Sequence, residues 1–146
     1  MPLIVAYGNP RRGDDAVAWR IAERLASAAP HVETITRPGL VPELADEIAL
    51  ASLVVFVDVK AGGKPGDVSC RRVTPDDAAS ARGAQTPATL LALASGLSGR
   101  APDAFLVTVS GARFAVGDPL SPAVSAAVDE ATSRISALLT TRSRRS

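Results

Sequence analysis

Two aspartates that follow apolar, strand-like segments are the residues of this chain best suited to chemistry. Asp15 lies in the loop after the segment 3–7, and Asp58 directly ends the apolar segment 53–57. In open parallel α/β sheets, ligands bind outside the carboxyl ends of the strands, so residues that follow two strands can converge on one site. A pair of carboxylates at that position predicts a site for a hard cation or for general acid–base chemistry.

Each of these carboxylates also has a purely structural interpretation. Asp14 and Asp15 precede a predicted helix, where one carboxylate caps free N–H groups and the other is left available for a ligand. Asp58 lies at the rim of the sheet, where an unpaired charge is costly to bury, so it needs a partner. An N–H group in the turn at Gly62 and Gly63 is the alternative to a ligand.

The loop 8–15 lacks a nucleotide-binding signature. Its two glycines are spaced as in a phosphate loop, but Asp14 and Asp15 stand where that loop has Lys and Ser or Thr, and carboxylates repel phosphate. Cys70 is the only cysteine and His31 the only histidine. An intramolecular disulfide and cysteine-rich or multi-histidine metal centres are therefore excluded within this chain.

Strand-like segments alternate with amphipathic helical segments along the chain, which predicts βαβ units and a mostly parallel sheet in one α/β domain over 1–140. Strands are predicted at 2–7, 32–36, 53–58, 67–73 and 105–109, and helices at about 15–28, 42–49, 86–99 and 121–138. The fourth strand is predicted to be an antiparallel edge strand, and 74–85 an irregular connection. Residues 141–146 are predicted to form a basic disordered tail.

Composition limits the partners of the protein. The 146 residues are 47% hydrophobic with a formal net charge of +1, and this balance predicts no nucleic-acid or anionic-membrane partner, which would require a clustered basic surface. No segment approaches about 18 unbroken apolar residues, and the N-terminal residues lack the features of a signal peptide. We therefore expect a cytoplasmic protein that does not enter a membrane.

Four segments, in their order and spacing, resemble the hydrogenase maturation peptidases, nickel-dependent endopeptidases that trim the C-terminal extension of the [NiFe]-hydrogenase large subunit. The segments are 8–18, 38–44, 54–66 and 114–121. The resemblance implies a three-layer fold with a twisted five-stranded sheet between helices. It also implies that Asp15 and Asp58 match two carboxylate positions with which the family engages nickel, an ion that the precursor of the large subunit would supply.

The third nickel ligand of that family, a histidine, has no counterpart in this chain. Aligning residues 87–93 with the family places the histidine near Gly83. His31 is expected at the opposite end of the sheet, and Gln85 offers only a neutral amide oxygen. A site of two aspartates and water binds nickel more weakly and less selectively than one with imidazole, which suits a borderline metal.

These residues leave the activity open between two main hypotheses. The first is an endopeptidase that processes the nickel-loaded large-subunit precursor, with Asp15 and Asp58 at the metal. The second is a catalytically weakened homologue that acts as a binding or accessory protein in hydrogenase assembly, because the histidine is absent. A third hypothesis is a small-molecule hydrolase that uses the two carboxylates as acid and base.

Overall fold

In the computed structural model, which describes the backbone of residues 1–145 and the side chains of 1–141, five strands form one sheet. The strands are β1 (Pro2–Tyr7), β2 (Glu33–Arg37), β3 (Leu53–Ala61), β4 (Val68–Arg72) and β5 (Asp103–Gly111), in the order β2-β1-β3-β5-β4. All neighbouring pairs are parallel except β4, which pairs antiparallel with β5 at the edge. The predicted α/β fold and its antiparallel edge strand are confirmed.

Helices cover both faces of this sheet. Helices α1 (Val17–Ala28) and α4 (Pro122–Arg145) pack on one face, while α2 (Leu44–Leu50) and α3 (Pro87–Ser98) pack on the other. The start of α3 is specified locally, because the Thr86 hydroxyl accepts the Thr89 N–H and a proline follows it at the first helical position. None of the helices in the described part of the chain is long and apolar enough to cross a membrane.

Strand β3 contributes side chains to both hydrophobic layers. Val57 and Val59 belong to the core beneath α1 and α4, whereas Val54 and Phe56 belong to the core beneath α2 and α3. Side chains alternate between the two faces along a strand. Asp58 therefore faces the side of the sheet that α2 and α3 cover.

The parallel strands place several loops at one edge of the sheet, which we call the carboxyl edge. The loops 8–16, 38–43 and 112–121 follow the carboxyl ends of β1, β2 and β5. A helix that leads into a parallel strand runs antiparallel to it, so the N-terminus of α3 also lies at this edge. The segment before α3 thus lies at the same edge of the sheet as the loop that carries Asp15.

Some elements have bounds that differ from the predicted ones. Strands β3 and β5 are longer than predicted because they pair with each other from Leu53 opposite Asp103 to Ala61 opposite Gly111. A 3₁₀ helix at Gly13–Ala16 precedes α1, and the connection predicted to be irregular contains a second one at Pro75–Ser80. These differences leave the order of the elements unchanged.

The last helix is longer than predicted. Helix α4 continues to Arg145, past the predicted helix end at about 138. The physical reason is that no glycine or proline follows Pro122 to end the helix. Ser146 lies outside the described residues.

Candidate active site

Asp58 is a half-buried carboxylate at the carboxyl edge of the sheet. It lies within β3, three residues before the strand ends at Ala61, and it pairs with Thr108 of β5. On its other side, Ala6 of β1 pairs with Val57, so Tyr7 is the neighbour of Asp58 in the sheet. The predicted strand end at Asp58 is wrong by three residues, although β1 does end beside this position.

Burial raises the pKa of the Asp58 carboxyl from 3.8 to about 6. Hydrogen bonds from the Val59 N–H and the Tyr7 hydroxyl oppose this rise, and the negative charge of Asp15 adds to it. The Val59 nitrogen lies 2.7 Å from Oδ1 of Asp58. The donors to Asp58 are thus its neighbours in β1 and β3 rather than the turn at Gly62 and Gly63.

Asp15 is a partly exposed carboxylate held over the loop that follows β1. It lies in the 3₁₀ helix Gly13–Ala16, and its Oδ2 accepts the Asn9 N–H at 2.6 Å. Its negative charge adds to the rise in the pKa of Asp58. The structure brings the two sequence-predicted site residues to the same edge of the sheet.

Asp14 has a different role from its neighbour. Its side chain is fully buried and accepts hydrogen bonds from the N–H groups of Ala112, Arg113 and Ser121 and from the Ser121 hydroxyl, at 2.7 to 3.0 Å. Burial raises its pKa, but these four bonds outweigh burial and lower the pKa below its usual range. Asp14 therefore has a structural role. Its hydrogen bonds hold the loop 112–121 before α4 in place, and it does not cap α1.

The position of the missing histidine is empty of side chains. Gly83 is exposed with a φ of +84°, and a Cβ built there would meet nothing within 4 Å. The Gln85 amide donates to the Thr89 hydroxyl at 3.0 Å. His31 is exposed in the turn before β2, at the end of the sheet opposite to the carboxyl edge.

The two carboxylates do not make a complete metal site by themselves. Among residues 1–141, whose side chains are described, no group of three His, Cys, Asp or Glu side chains is placed to hold a metal ion. A borderline ion such as nickel is bound well by imidazole and thiolate and less well by carboxylates alone. The residues present do not fit a resident nickel ion, although they can contact an ion that other ligands hold.

Sequence reasoning missed Tyr7, which lies next to Asp58 in the sheet. Burial, followed by the negative charge of Asp58, raises the pKa of Tyr7 above its usual value of 10.0. The phenol therefore stays protonated near neutral pH. The sequence did carry a signal for this residue. Tyr7 is the last residue of β1, the strand beside β3, and it bears a hydroxyl group.

Two cavities lie away from these carboxylates. A groove of about 520 Å³ between α1 and α4 is lined by charged residues that include Arg20, Glu23 and Asp129. A second cavity of about 410 Å³ is lined by residues of β4, α4 and the turn after β3. Neither of these two cavities is lined by Asp15 or Asp58.

The structure is a three-layer α/β fold with Asp15 and Asp58 at the carboxyl edge of its sheet. No protein-family model and no curated protein sequence matches this chain. Solved structures do share its fold, and the resemblance read from the sequence is confirmed at that level.

The hydrogenase maturating endopeptidase HybD from E. coli is similar with a TM-score of 0.77 and 23% identity, over 97% of this chain and 93% of that one. The [NiFe] hydrogenase maturation protease HybD from Thermococcus kodakarensis gives a TM-score of 0.73 at 21% identity, over 94% and 97% of the two chains. The HycI protease from Thermococcus kodakarensis KOD1 gives 0.73 at 24% identity, over 95% and 92%. The likeness extends over nearly the whole of each chain.

Gly8 is required where β1 turns beneath Asp15. Its φ is +149°, and a Cβ would lie 2.4 Å from the Asp15 carbonyl oxygen and 3.1 Å from its Oδ1. We expect Gly8→Ala to lower the free energy of unfolding by about 1–3 kcal/mol, because the loop must shift to relieve the overlap. Urea denaturation measures this, with Gly39→Ala as the control, since nothing lies within 4 Å of Gly39. Equal stability of the two variants would contradict the close approach.

Proposed function

We propose that this protein is an endopeptidase that trims the C-terminal extension of a [NiFe]-hydrogenase large-subunit precursor carrying nickel. Two observations support the proposal: the loop after β1 that carries Asp15 and the strand that carries Asp58 reach the same edge of the sheet, and the fold is shared with solved hydrogenase maturation proteases. The incomplete ligand set supports an ion that arrives with the substrate. In this arrangement the precursor supplies the nickel together with most of its ligands.

In this proposal the two carboxylates have different roles at the nickel ion and at the attacking water. Asp15 contacts the nickel ion of the precursor from the loop after β1, and Asp58 contacts the ion through one oxygen from the strand below. A pKa of about 6 leaves Asp58 mostly ionised near neutral pH, yet basic enough to accept a proton. A water molecule attacks the scissile carbonyl carbon as Asp58 takes its proton. The proton then passes to the departing amine as the C–N bond breaks.

Precursor cleavage tests this proposal directly. We expect the purified protein to release the extension from a nickel-loaded precursor and to leave the nickel-free precursor intact, as measured by intact-protein mass spectrometry. Asp15→Asn removes the charge that meets the ion and is expected to slow cleavage by on the order of 100-fold. Asp46→Asn, which alters an exposed carboxylate in α2, is the control and should cleave at the parental rate.

Two outcomes would contradict the peptidase proposal. Cleavage by Asp15→Asn at the parental rate would remove Asp15 from the site. Stable binding of the nickel-loaded precursor by the parent without any cleavage would instead show an accessory protein in hydrogenase assembly. In that case Gly83→His, compared with Gly83→Ala to account for the strain at positive φ, would test whether the missing ligand is what prevents turnover.

A further inference from the structure

The lysines of this chain are concentrated at one cavity. Lys60 and Lys64 are the only lysines in the sequence, and both line the cavity of about 410 Å³ beside the turn after β3. The ends of β3 and β5, the start of β4, the turn 62–66 and one side of α4 form its walls. A cavity of this volume is within the size range of ligand-binding sites.

The cavity lies at the carboxyl edge and begins a short distance beyond Asp58. Lys60 follows Asp58 by two residues within β3, so the two side chains point to the same face of the sheet at positions about 7 Å apart. Lys60 pairs with Ser110 of β5, as Asp58 pairs with Thr108. A peptide that crosses the edge at Asp58 in an extended conformation therefore reaches the cavity within about two of its own residues.

The turn 62–66 gives the cavity fixed walls. The Gly66 N–H donates to the Ser110 carbonyl at 2.8 Å, and a Cβ built on Gly66 would lie only 2.7 Å from the Ala123 carbonyl oxygen at the start of α4. A Cβ on Gly63 would lie 3.1 Å from the Ser110 hydroxyl oxygen. The turn therefore packs closely on both β5 and α4, and the buried Ser110 side chain lies beneath it.

The charged groups that line the cavity have a positive excess. Arg134 and Glu130 lie one turn apart on α4 with a nitrogen and an oxygen 4.0 Å apart, and Arg134 also donates to the Val68 carbonyl at 3.0 Å. Neither lysine forms an ion pair with any of residues 1–141. Asp67 is the remaining carboxylate of the lining, so one negative charge offsets two ammonium groups. Such a lining favours a negatively charged ligand.

We propose that this cavity is a substrate subsite that binds an acidic residue of the precursor, with Lys60 and Lys64 as donors to its carboxylate. The carboxylates of Asp67 and Glu130 in the walls disfavour a doubly charged anion such as phosphate. They can instead accept N–H groups of a bound peptide, which fits a segment with a single carboxylate. The identity of the substrate rests on the proposed peptidase function, whereas the affinity of the cavity for a peptide carboxylate does not.

NMR of the lysine side chains tests binding without cleavage. Reductive methylation with ¹³C-formaldehyde labels only Lys60, Lys64 and the N-terminal amine, and methylation keeps the positive charge. We expect both lysine resonances to shift on titration with acetyl-Ala-Gly-Asp-Gly-Ala-amide and to stay in place with the same peptide carrying Asn for Asp. The N-terminal resonance is the internal control. Absence of any shift, equal shifts with the two peptides, or equal shifts with sodium phosphate overturn the proposal.

Kinetics with the nickel-loaded precursor provide the second readout. We expect Lys60→Gln to raise KM by about 3–10-fold with kcat within about twofold, because a contact beside the scissile bond contributes equally to substrate and transition-state binding. Arg100→Gln, which removes an exposed positive charge just after α3, is the matched control and should keep the parental KM.

The two readouts separate failure of the subsite from failure of the peptidase proposal. A parental KM in Lys60→Gln, or a fall in kcat without a change in KM, overturns the subsite while the protein remains a peptidase. If the parent does not cleave the precursor at all, the peptidase proposal fails. The lysine resonances then decide by themselves whether the cavity binds a peptide carboxylate.

Discussion

Asp14→Ala is expected to be the most destabilising single substitution in the loops of the carboxyl edge. It leaves three backbone N–H groups and the Ser121 hydroxyl without their acceptor in a fully buried position. Each unsatisfied buried donor costs about 1–3 kcal/mol, although water entering the gap recovers part of that. We expect a loss of about 4 kcal/mol or more in the free energy of unfolding, a large share of the stability of an ordinary domain.

Chemical denaturation with the Asp46→Ala variant as control measures this loss. Asp46 is exposed on α2, and its removal should change stability by no more than about 0.5 kcal/mol. The pKa of Asp14 is lowered below 3.8 in the folded protein, so its contribution is present above that value and is lost as pH falls below it. An Asp14→Ala variant as stable as the control at pH 7 would show that the loop 112–121 is held by other contacts.

The order of the elements could be predicted from the sequence because the signals for it are local. Thr86 with Pro87 and Ser121 with Pro122 mark helix starts, and α3 and α4 begin there. The lengths of β3 and β5 could not be predicted, because their last residues are ordered by pairing with each other across the sheet. Pairing between distant segments leaves no local pattern.

The candidate site could be predicted only in part, because its contacts also join segments that are distant along the chain. Two consecutive aspartates indicate that one is structural and one is available, but only the loop before α4 decides that Asp14 is the buried one. The contact of Tyr7 with Asp58 depends on the register of β1 against β3. The missing ligand at Gly83 could be predicted from the sequence alone, because a glycine has no side chain whatever its neighbours are.

Asp58→Asn is expected to abolish precursor processing while making the protein more stable. The asparagine keeps the shape and an acceptor for the Val59 and Tyr7 donors, but it neither carries charge to the nickel ion nor accepts a proton from water. We expect cleavage to fall by about 10²–10⁴-fold. Mass spectrometry of the nickel-loaded precursor measures this, with Asp46→Asn as the active control. Unchanged cleavage would remove Asp58 from the site.

The gain in stability follows from the raised pKa of Asp58. Its pKa is about 6 in the folded protein against 3.8 for the free side chain, so folding favours the protonated form. Stability from the bound proton is complete below pH 3.8 and is lost as pH rises through 6. The asparagine never ionises, so the stability of Asp58→Asn relative to the parent should increase between pH 4 and pH 7. After allowance for partial exposure, we expect a gain of about 1–2 kcal/mol.

Denaturation of both proteins with a chelator present, at pH 4 and again at pH 7, isolates this effect. If the stability difference between Asp58→Asn and the parent grows with pH, the charged form of Asp58 destabilises the folded protein. Such a cost is expected of a residue that serves chemistry rather than structure. A constant difference, or a variant less stable than the parent at pH 7, would show that the ionised carboxylate is well accommodated by its donors. Asp58 would then be a structural partner of Tyr7 and Val59, as Asp14 is for the loop before α4.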